Sequence, residues 1–254
     1  MQSAPSAQKV MIVTGGSRGI GAAIARLAAA EGFAVCVAYR SNESAAADVV
    51  ATIGELGGKA IAVQVDVAIE QDVVRMFERV DAQLGRISAL VNNAGILMHR
   101  ARVDEMDAER IGRVFATNVI GSFLCAREAV RRMSTSRGGS GGAIVNISSR
   151  ASRLGSPGEF VDYAASKAAI DTLTIGLAKE VAGEGIRVNA VAPGVIYTEI
   201  HASGGEPGRV DRMKDSIPMK RGGTPQEVAR AVLWLLSDEA SYTTGATIDV
   251  SGGR

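Results

Sequence analysis

The chain has 254 residues, 46% hydrophobic and 22% charged, with 28 Lys and Arg against 27 Asp and Glu for a formal net charge of +1. That is enough apolar material for one large α/β domain or two small ones. No run of like charge marks a nucleic-acid or membrane surface, and no apolar run approaches the roughly 20 residues needed to span a bilayer.

Residues 1–8 are small and polar and carry neither the basic start nor the apolar stretch of a secretion signal. They read as a disordered tail before one domain over 9–254. Residues 10–14 form an apolar run of strand length. It passes into Thr14-Gly15-Gly16-Ser17-Arg18-Gly19-Ile20-Gly21 and then a helical run over 22–30. A glycine turn between strand and helix lets the backbone approach a pyrophosphate, and the helix N-terminus offers free N–H groups and positive potential. Alone, the turn is also what any tight strand-to-helix connection would use.

Residues 34–38 read as a second strand, ending toward Tyr39-Arg40-Ser41. In NAD-binding folds an acid at this end holds the ribose 2′-hydroxyl. Here Tyr39 stands in that place and Arg40 follows, which favours the 2′-phosphate of NADP, with Arg18 able to close on the same group. A hydrogen bond to a charged group contributes roughly 1.5–3 kcal/mol, or roughly ten- to a hundredfold in nucleotide preference.

Further strands are expected at 60–65, 89–92, 143–147, 187–192 and 247–250, with helical patterns between them. Val73, Phe77, Val80 and Leu84 share one helical face, as do Ile170, Leu173, Leu177 and Val181. About seven apolar strands, each followed by a helix, predict an α/β class with one doubly wound parallel sheet covered on both faces. Residues 134–142 are Ser/Gly-rich and read as a flexible surface connection. Cys36 and Cys125 sit in apolar runs without metal spacing and read as core thiols, in keeping with a reducing cytoplasm. His99 and His201 have no second ligand at metal spacing, so no metal is expected. They fall near the rim of the expected pocket.

Tyr163-Ala164-Ala165-Ser166-Lys167 opens a helical stretch in which positions i and i+4 share a face. Lys167 is thus expected near the Tyr163 hydroxyl or a ribose beside it. A nearby cation would lower the phenol's pKa toward neutrality and make Tyr163 a proton donor and acceptor. Asn146-Ile147-Ser148-Ser149 ends a strand at the same sheet edge. A hydroxyl there can meet a substrate oxygen, and residue chemistry leaves Ser148 and Ser149 both open. Asn118 lies mid-helix, where Asn is mildly unfavourable. Residues 195–224 form a long Gly/Pro-punctuated stretch beyond a strand end and read as a substrate lid.

These residues carry a resemblance. From about Lys9 to Gly253 the chain resembles the short-chain dehydrogenase/reductases, with the glucose 1-dehydrogenase-like branch the nearest likeness. The signature is Thr14-Gly15-x-x-x-Gly19-x-Gly21, Asp66-Val67, Asn92-Asn93-Ala94-Gly95, Asn118, Ser149, Tyr163-x-x-x-Lys167, Pro193-Gly194 and Gly252-Gly253. The resemblance implies a Rossmann fold, an NADP-dependent oxidoreductase acting on a small carbonyl or alcohol, and a homotetramer. It implies Tyr163 as acid/base, Lys167 beside it and on the nicotinamide ribose, Ser149 on the substrate oxygen, and Asn118 on a proton-relay water. It implies Asp66 and Val67 at the adenine, and Asn92, Ala94 and Gly95 shaping the cleft. Pro193, Gly194, Ile196 and Thr198 would form the wall around the carboxamide. With the turn and second strand, the expected NADP set also includes Gly15, Ser17, Arg18, Gly19, Ile20, Gly21, Tyr39, Arg40 and Ser41.

Ser149 precedes Tyr163 by fourteen residues, one more than in many members, and the addition falls in Glu159-Phe160-Val161-Asp162. Two other readings stand beside the main one. A 3-oxoacyl-[acyl-carrier-protein] reductase would usually place a basic residue where Glu184 stands, although Arg131 and Arg132 could serve an acidic carrier elsewhere. A non-catalytic NADP redox sensor would have no need of Asn118, Ser149, Tyr163 and Lys167 together. Arg150 and Arg153 follow Ser149 and could flank an anionic substrate, though a solvated loop charge is the commoner role.

Overall fold

The computed structural model describes residues 8–254; the expected N-terminal tail lies, apart from Gln8, outside the described residues. Apolar runs of strand length pair in parallel. The strands are β1 (Val10–Thr14), β2 (Ala34–Tyr39), β3 (Ala60–Gln64), β4 (Ala89–Asn92), β5 (Gly142–Ile147), β6 (Ile186–Pro193) and β7 (Thr247–Val250). They form one seven-stranded sheet in the order β3-β2-β1-β4-β5-β6-β7, parallel throughout. Each predicted strand is present to within a residue at its ends.

Alternation along the strands divides the core into two layers. Met11, Val13, Val35 and Val37 face one side, where they pack against α1 (Gly19–Ala30), α2 (Glu43–Glu55) and α10 (Pro225–Leu236). Val10, Ile12, Ala34 and Cys36 face the other, against α3 (Glu70–Gln83), α5 (Gly121–Met133) and α7 (Val161–Val181). Helix α4 (Ala108–Phe115) leads to α5 through a π-helical turn, Ala116–Ile120. Two short helices, α6 (Ala151–Leu154) and α8 (Ile200–Ser203), and then α9 (Arg209–Met213), follow the ends of β5 and β6.

β1 pairs with β2 on one side and β4 on the other, so the chain reverses its direction across the sheet at β1/β4. A crevice opens beyond the carboxyl ends of the strands at such a point. The Ser/Gly-rich segment after α5 differs from the flexible connection expected. Gly139 N–H donates to Ser134 O at 2.8 Å and Gly141 N–H to Met133 O at 2.8 Å. These bonds fold the run into a turn packed on the end of α5.

Candidate active site

Two adjoining clefts lie beyond the strand ends. The first is bounded by the glycine turn, the end of β2, Asp66, Val67 and Thr117. The second is bounded by the ends of β5 and β6, α6, the start of α7 and the stretch after β6. Ile20, Asn93, Gly95, Thr198 and Ile200 line both, so the clefts communicate.

The glycine turn is built for close approach. Gly15 has φ +62°, a left-handed conformation that an L side chain resists. A Cβ on Gly21 would collide with the Gly15 carbonyl. Buried Thr14 braces the turn from below: its hydroxyl accepts from Asn93 N–H and Ala94 N–H, both at 3.0 Å. The Asn93 amide donates to Thr14 O at 2.9 Å and Gly15 O at 3.0 Å. Helix α1 opens at Gly19 with no side-chain cap and no acid in its first turn. Its first N–H groups therefore face the cleft without a side-chain acceptor, which fits the pyrophosphate of a dinucleotide.

Gly15, Ser17, Arg18, Gly19, Ile20, Gly21, Tyr39, Arg40, Ser41, Asp66, Val67, Ala94 and Gly95 all line this cleft. Arg18 and Arg40 are exposed there, and Arg40 Nε lies 3.7 Å from Asp66 Oδ2. Asn92 does not line either cleft. Its side chain is buried in the sheet, donating to Asn146 Oδ1 at 2.9 Å and Ser122 O at 3.3 Å. The next residue, Asn93, is the cleft residue that sequence reasoning passed over. Strand alternation was the available signal, because it sends neighbouring side chains in opposite directions.

The second cleft gathers Ser149, Tyr163, Lys167, Pro193, Gly194, Ile196 and Thr198. Ser148 and Ser149 separate clearly. Ser148 is buried and donates to Asp171 Oδ1 at 2.5 Å and Lys167 O at 3.3 Å. Ser149 is half-buried, accepts from Ala151 N–H at 3.1 Å, and lines the same cleft as Tyr163.

Lys167 is almost fully buried, and its Nζ donates to Ile147 O at 2.7 Å. The same Nζ lies 5.6 Å from the centre of the Tyr163 ring. The expected lowering of the tyrosine pKa is not found. Burial pushes Tyr163 up to about 12, with the Ser149 hydrogen bond opposing. Burial brings Lys167 down to about 8, opposed by Asp171. The ammonium turns to a strand carbonyl, so desolvation decides the phenol's direction.

Asn118 falls in the π-helical turn, which accounts for an Asn inside a helical run. Its Oδ1 accepts from Ile96 N–H at 2.8 Å and its amide donates to Ser166 Oγ at 3.0 Å. It is buried and lines neither cleft, and Gly95, which lines both, stands beside it. A Cβ on Gly95 would stand 3.4 Å from Asn118 Oδ1 and 3.5 Å from Lys167 Nζ. Of the two histidines, His201 lines the second cleft and His99 does not. Arg150 and Arg153 both pair with Asp249, at 2.5 and 3.2 Å.

Glu159 and Asp162, just before Tyr163, belong to a rim of charges. Glu159 pairs with Arg209 at 2.6 Å and Arg100 at 3.2 Å, and Phe160 beside it is buried against the second cleft. Asp162 pairs with Arg110 at 2.8 Å.

Comparison with known proteins agrees with this geometry. Residues 15–254 match the family model described as Enoyl-(Acyl carrier protein) reductase. The chain is 62% identical to "Uncharacterized oxidoreductase YgfF" of Escherichia coli over 96% of this chain and 99% of that one. It is 42% identical to "3beta-hydroxysteroid dehydrogenase 1" of Eggerthella lenta, over 96% and 93% of the two chains. It is 40% identical to "Glucose 1-dehydrogenase 2" of Bacillus subtilis, over 96% and 94%. Among solved structures, a dehydrogenase/reductase from Sinorhizobium meliloti superposes with a TM-score of 0.89 at 34% identity, covering 97% of this chain and 95% of the other. No helix among the described residues is long and apolar enough to cross a membrane. Fold, cleft and relatives converge: the chain belongs to the short-chain dehydrogenase/reductase family of oxidoreductases, which use nicotinamide cofactors.

Proposed function

We propose that the chain is an NADP-dependent oxidoreductase that interconverts a small carbonyl compound and its alcohol, with Tyr163 as acid/base. The observation that carries this reading is the meeting of Ser149, Tyr163 and Lys167 in one cleft that opens into the glycine-turn cleft. When bound, the nicotinamide supplies or removes the hydrogen with its electron pair. Gly15, Ser17, Gly19 and the first turn of α1 hold the pyrophosphate, Asp66 and Val67 the adenine end, and Pro193, Gly194, Ile196 and Thr198 the carboxamide end. Arg40 and Arg18 receive the 2′-phosphate, with Tyr39 and Ser41 beside them.

In the reductive direction the Tyr163 hydroxyl gives its proton to the substrate oxygen while Ser149 donates a hydrogen bond to that atom. A phenol held near 12 is protonated at neutral pH and so is ready to donate. Lys167 supplies the positive charge that limits the cost of the phenolate left behind. Asn118 holds the Gly95 floor and the relay that returns the proton. The stretch after β6 acts as a lid. Tyr197 N–H donates to Gly223 O at 2.9 Å and Gly223 N–H to Val195 O at 3.0 Å, so the segment leaves and rejoins the body at one point.

A carrier-protein substrate is less well supported. Arg131 pairs with Glu128 at 2.7 Å, and Arg132 with Asp81 at 2.7 Å, so both cations already have carboxylate partners. We assign the protein to the cytoplasm, where buried Cys36 and Cys125 stay reduced, and to a homotetramer.

The test is oxidation of NADPH and NADH across a panel of aldehydes, ketones, diketones and sugar carbonyl analogues. Turnover with NADPH that falls by about 10²–10⁴ in Tyr163→Phe is expected. Tight NADPH binding without turnover of any carbonyl would move the protein to the sensor class.

A further inference from the structure

The second cleft is lined by Arg150, Lys167, His201, Arg209 and Arg254, and by no aspartate or glutamate. Its remaining wall is largely apolar, with Leu97, Leu154, Phe160, Val195 and Ile200 among its residues. The lining carries no acidic side chain, so each cation's partner matters.

Lys167 is held by Ile147 O. Arg150 gives one N–H to Asp249 Oδ2 and another to Arg254 O at 2.6 Å. Arg209 is shared between Glu159 at 2.6 Å and Glu206 at 2.9 Å, and lies 5.1 Å over the Phe160 ring. His201 donates through Nε2 to Ile196 O at 2.9 Å, and burial holds its pKa below the ordinary value. Arg254 is the exception. Its guanidinium has no ion pair among the described residues, and its recorded side-chain partner is Met213 Sδ at 3.8 Å. Burial and the neighbouring Arg209 both disfavour its charge, opposed by Glu159.

The surrounding charges do not close. Arg100, Arg209, Arg212 and Arg254 face two carboxylates, Glu159 and Glu206, and the first three arginines already use both. Arg254 does not line the glycine-turn cleft, so the phosphates of a dinucleotide are not its complement. An anion entering from the substrate side would meet it.

We infer that the carbonyl substrate has an apolar body and a carboxylate, and that Arg254 receives the carboxylate. A guanidinium offers paired N–H donors matched to a carboxylate's two oxygens. The apolar wall takes the rest of the molecule and leaves its oxygen to Ser149 and Tyr163. The inference rests on the reductase reading above for the carbonyl, and on the cleft's own charges for the carboxylate.

The experiment uses the full chain and a series of oxo-carboxylates of increasing length, each assayed with NADPH against its methyl ester. Binding of the corresponding saturated alkanoates is followed in parallel by calorimetry, which needs no turnover. For the best-fitting length, kcat/KM for the acid should exceed that for the ester by about ten- to a hundredfold. Arg254→Gln should collapse that ratio to near unity and abolish alkanoate binding, and Arg254→Lys should restore part of both. Equal turnover of acid and ester, or a ratio that Arg254→Gln leaves unchanged, overturns the inference while the reductase stands. Alkanoate binding that depends on Arg254, with no carbonyl reduced, keeps the anion site and discards the reductase reading.

Discussion

Lys167 carries a charge in a place where burial opposes it, and its protonation is the titration that matters near neutral pH. Its folded pKa, about 8, lies below the ordinary 10.5. The ammonium is therefore present below about 8 and lost as the pH rises through that value. Tyr163, near 12, stays protonated over the same range. The kcat/KM for carbonyl reduction, which reports the free enzyme, should fall above about pH 8. Lys167→Arg, which keeps its charge, should move that fall to higher pH even if its rate is lower. An unchanged alkaline limb would show that another group sets it. Sequence spacing places Tyr163 and Lys167 on one helical face, but it leaves Ser148 and Ser149 both open, and only the family resemblance names Ser149. It does not reveal that the ammonium is taken by Ile147 O, because that carbonyl arrives from β5, twenty residues away in the chain. The shift of the cleft role from Asn92 to Asn93 is likewise a matter of which way a strand end points.

At the scale of elements, Glu159 ties the approach to α7 to the stretch after β6. Glu159 sits beyond α6, Arg209 begins α9, and their 2.6 Å bridge joins the two sides of the substrate cleft. The Arg209 hydrogen bond holds Glu159 below the ordinary carboxylate pKa. The tie is therefore intact above the usual carboxylate range and is lost as pH falls through the lowered value. Glu159→Gln should speed amide hydrogen exchange through residues 209–216 by about tenfold, with the central strands unaffected. Exchange that stays the same would mean that Glu206 alone anchors α9. The glycine turn, the strands and the helical faces of α3 and α7 were legible from apolar periodicity. The rim was not, because Glu159, Arg209 and Arg212 look like ordinary surface charges until the chain brings them together.

For the whole molecule, the parallel sheet and its two-layered core follow from strands that are apolar on both faces, whereas the strand order is seen only in the structure. What periodicity cannot convey is assembly. Ile111 on α4, Ile120 in the π-helical turn, Phe123 on α5 and Ile175 on α7 are large apolar side chains left exposed on neighbouring elements. Such a group suits an interface between subunits. Phe123→Asp should lower the molar mass measured by light scattering, while the circular dichroism of the subunit is retained. An unaltered mass would place the interface elsewhere. The reversal at β1/β4 has a further consequence, one of inheritance rather than chemistry. The residues proposed to choose the nucleotide come from the β1–β3 flank, and those proposed to choose the substrate come mainly from the β5–β7 flank. Arg40 and Arg254 line different clefts and share no partner. Sites of that kind combine additively to within about 0.3–0.5 kcal/mol. In Arg40→Ala/Arg254→Gln, the loss of NADPH preference and the loss of acid-over-ester preference should therefore each match the single variant. One side of such an enzyme can be retuned, by selection or by hand, while the other keeps its settings.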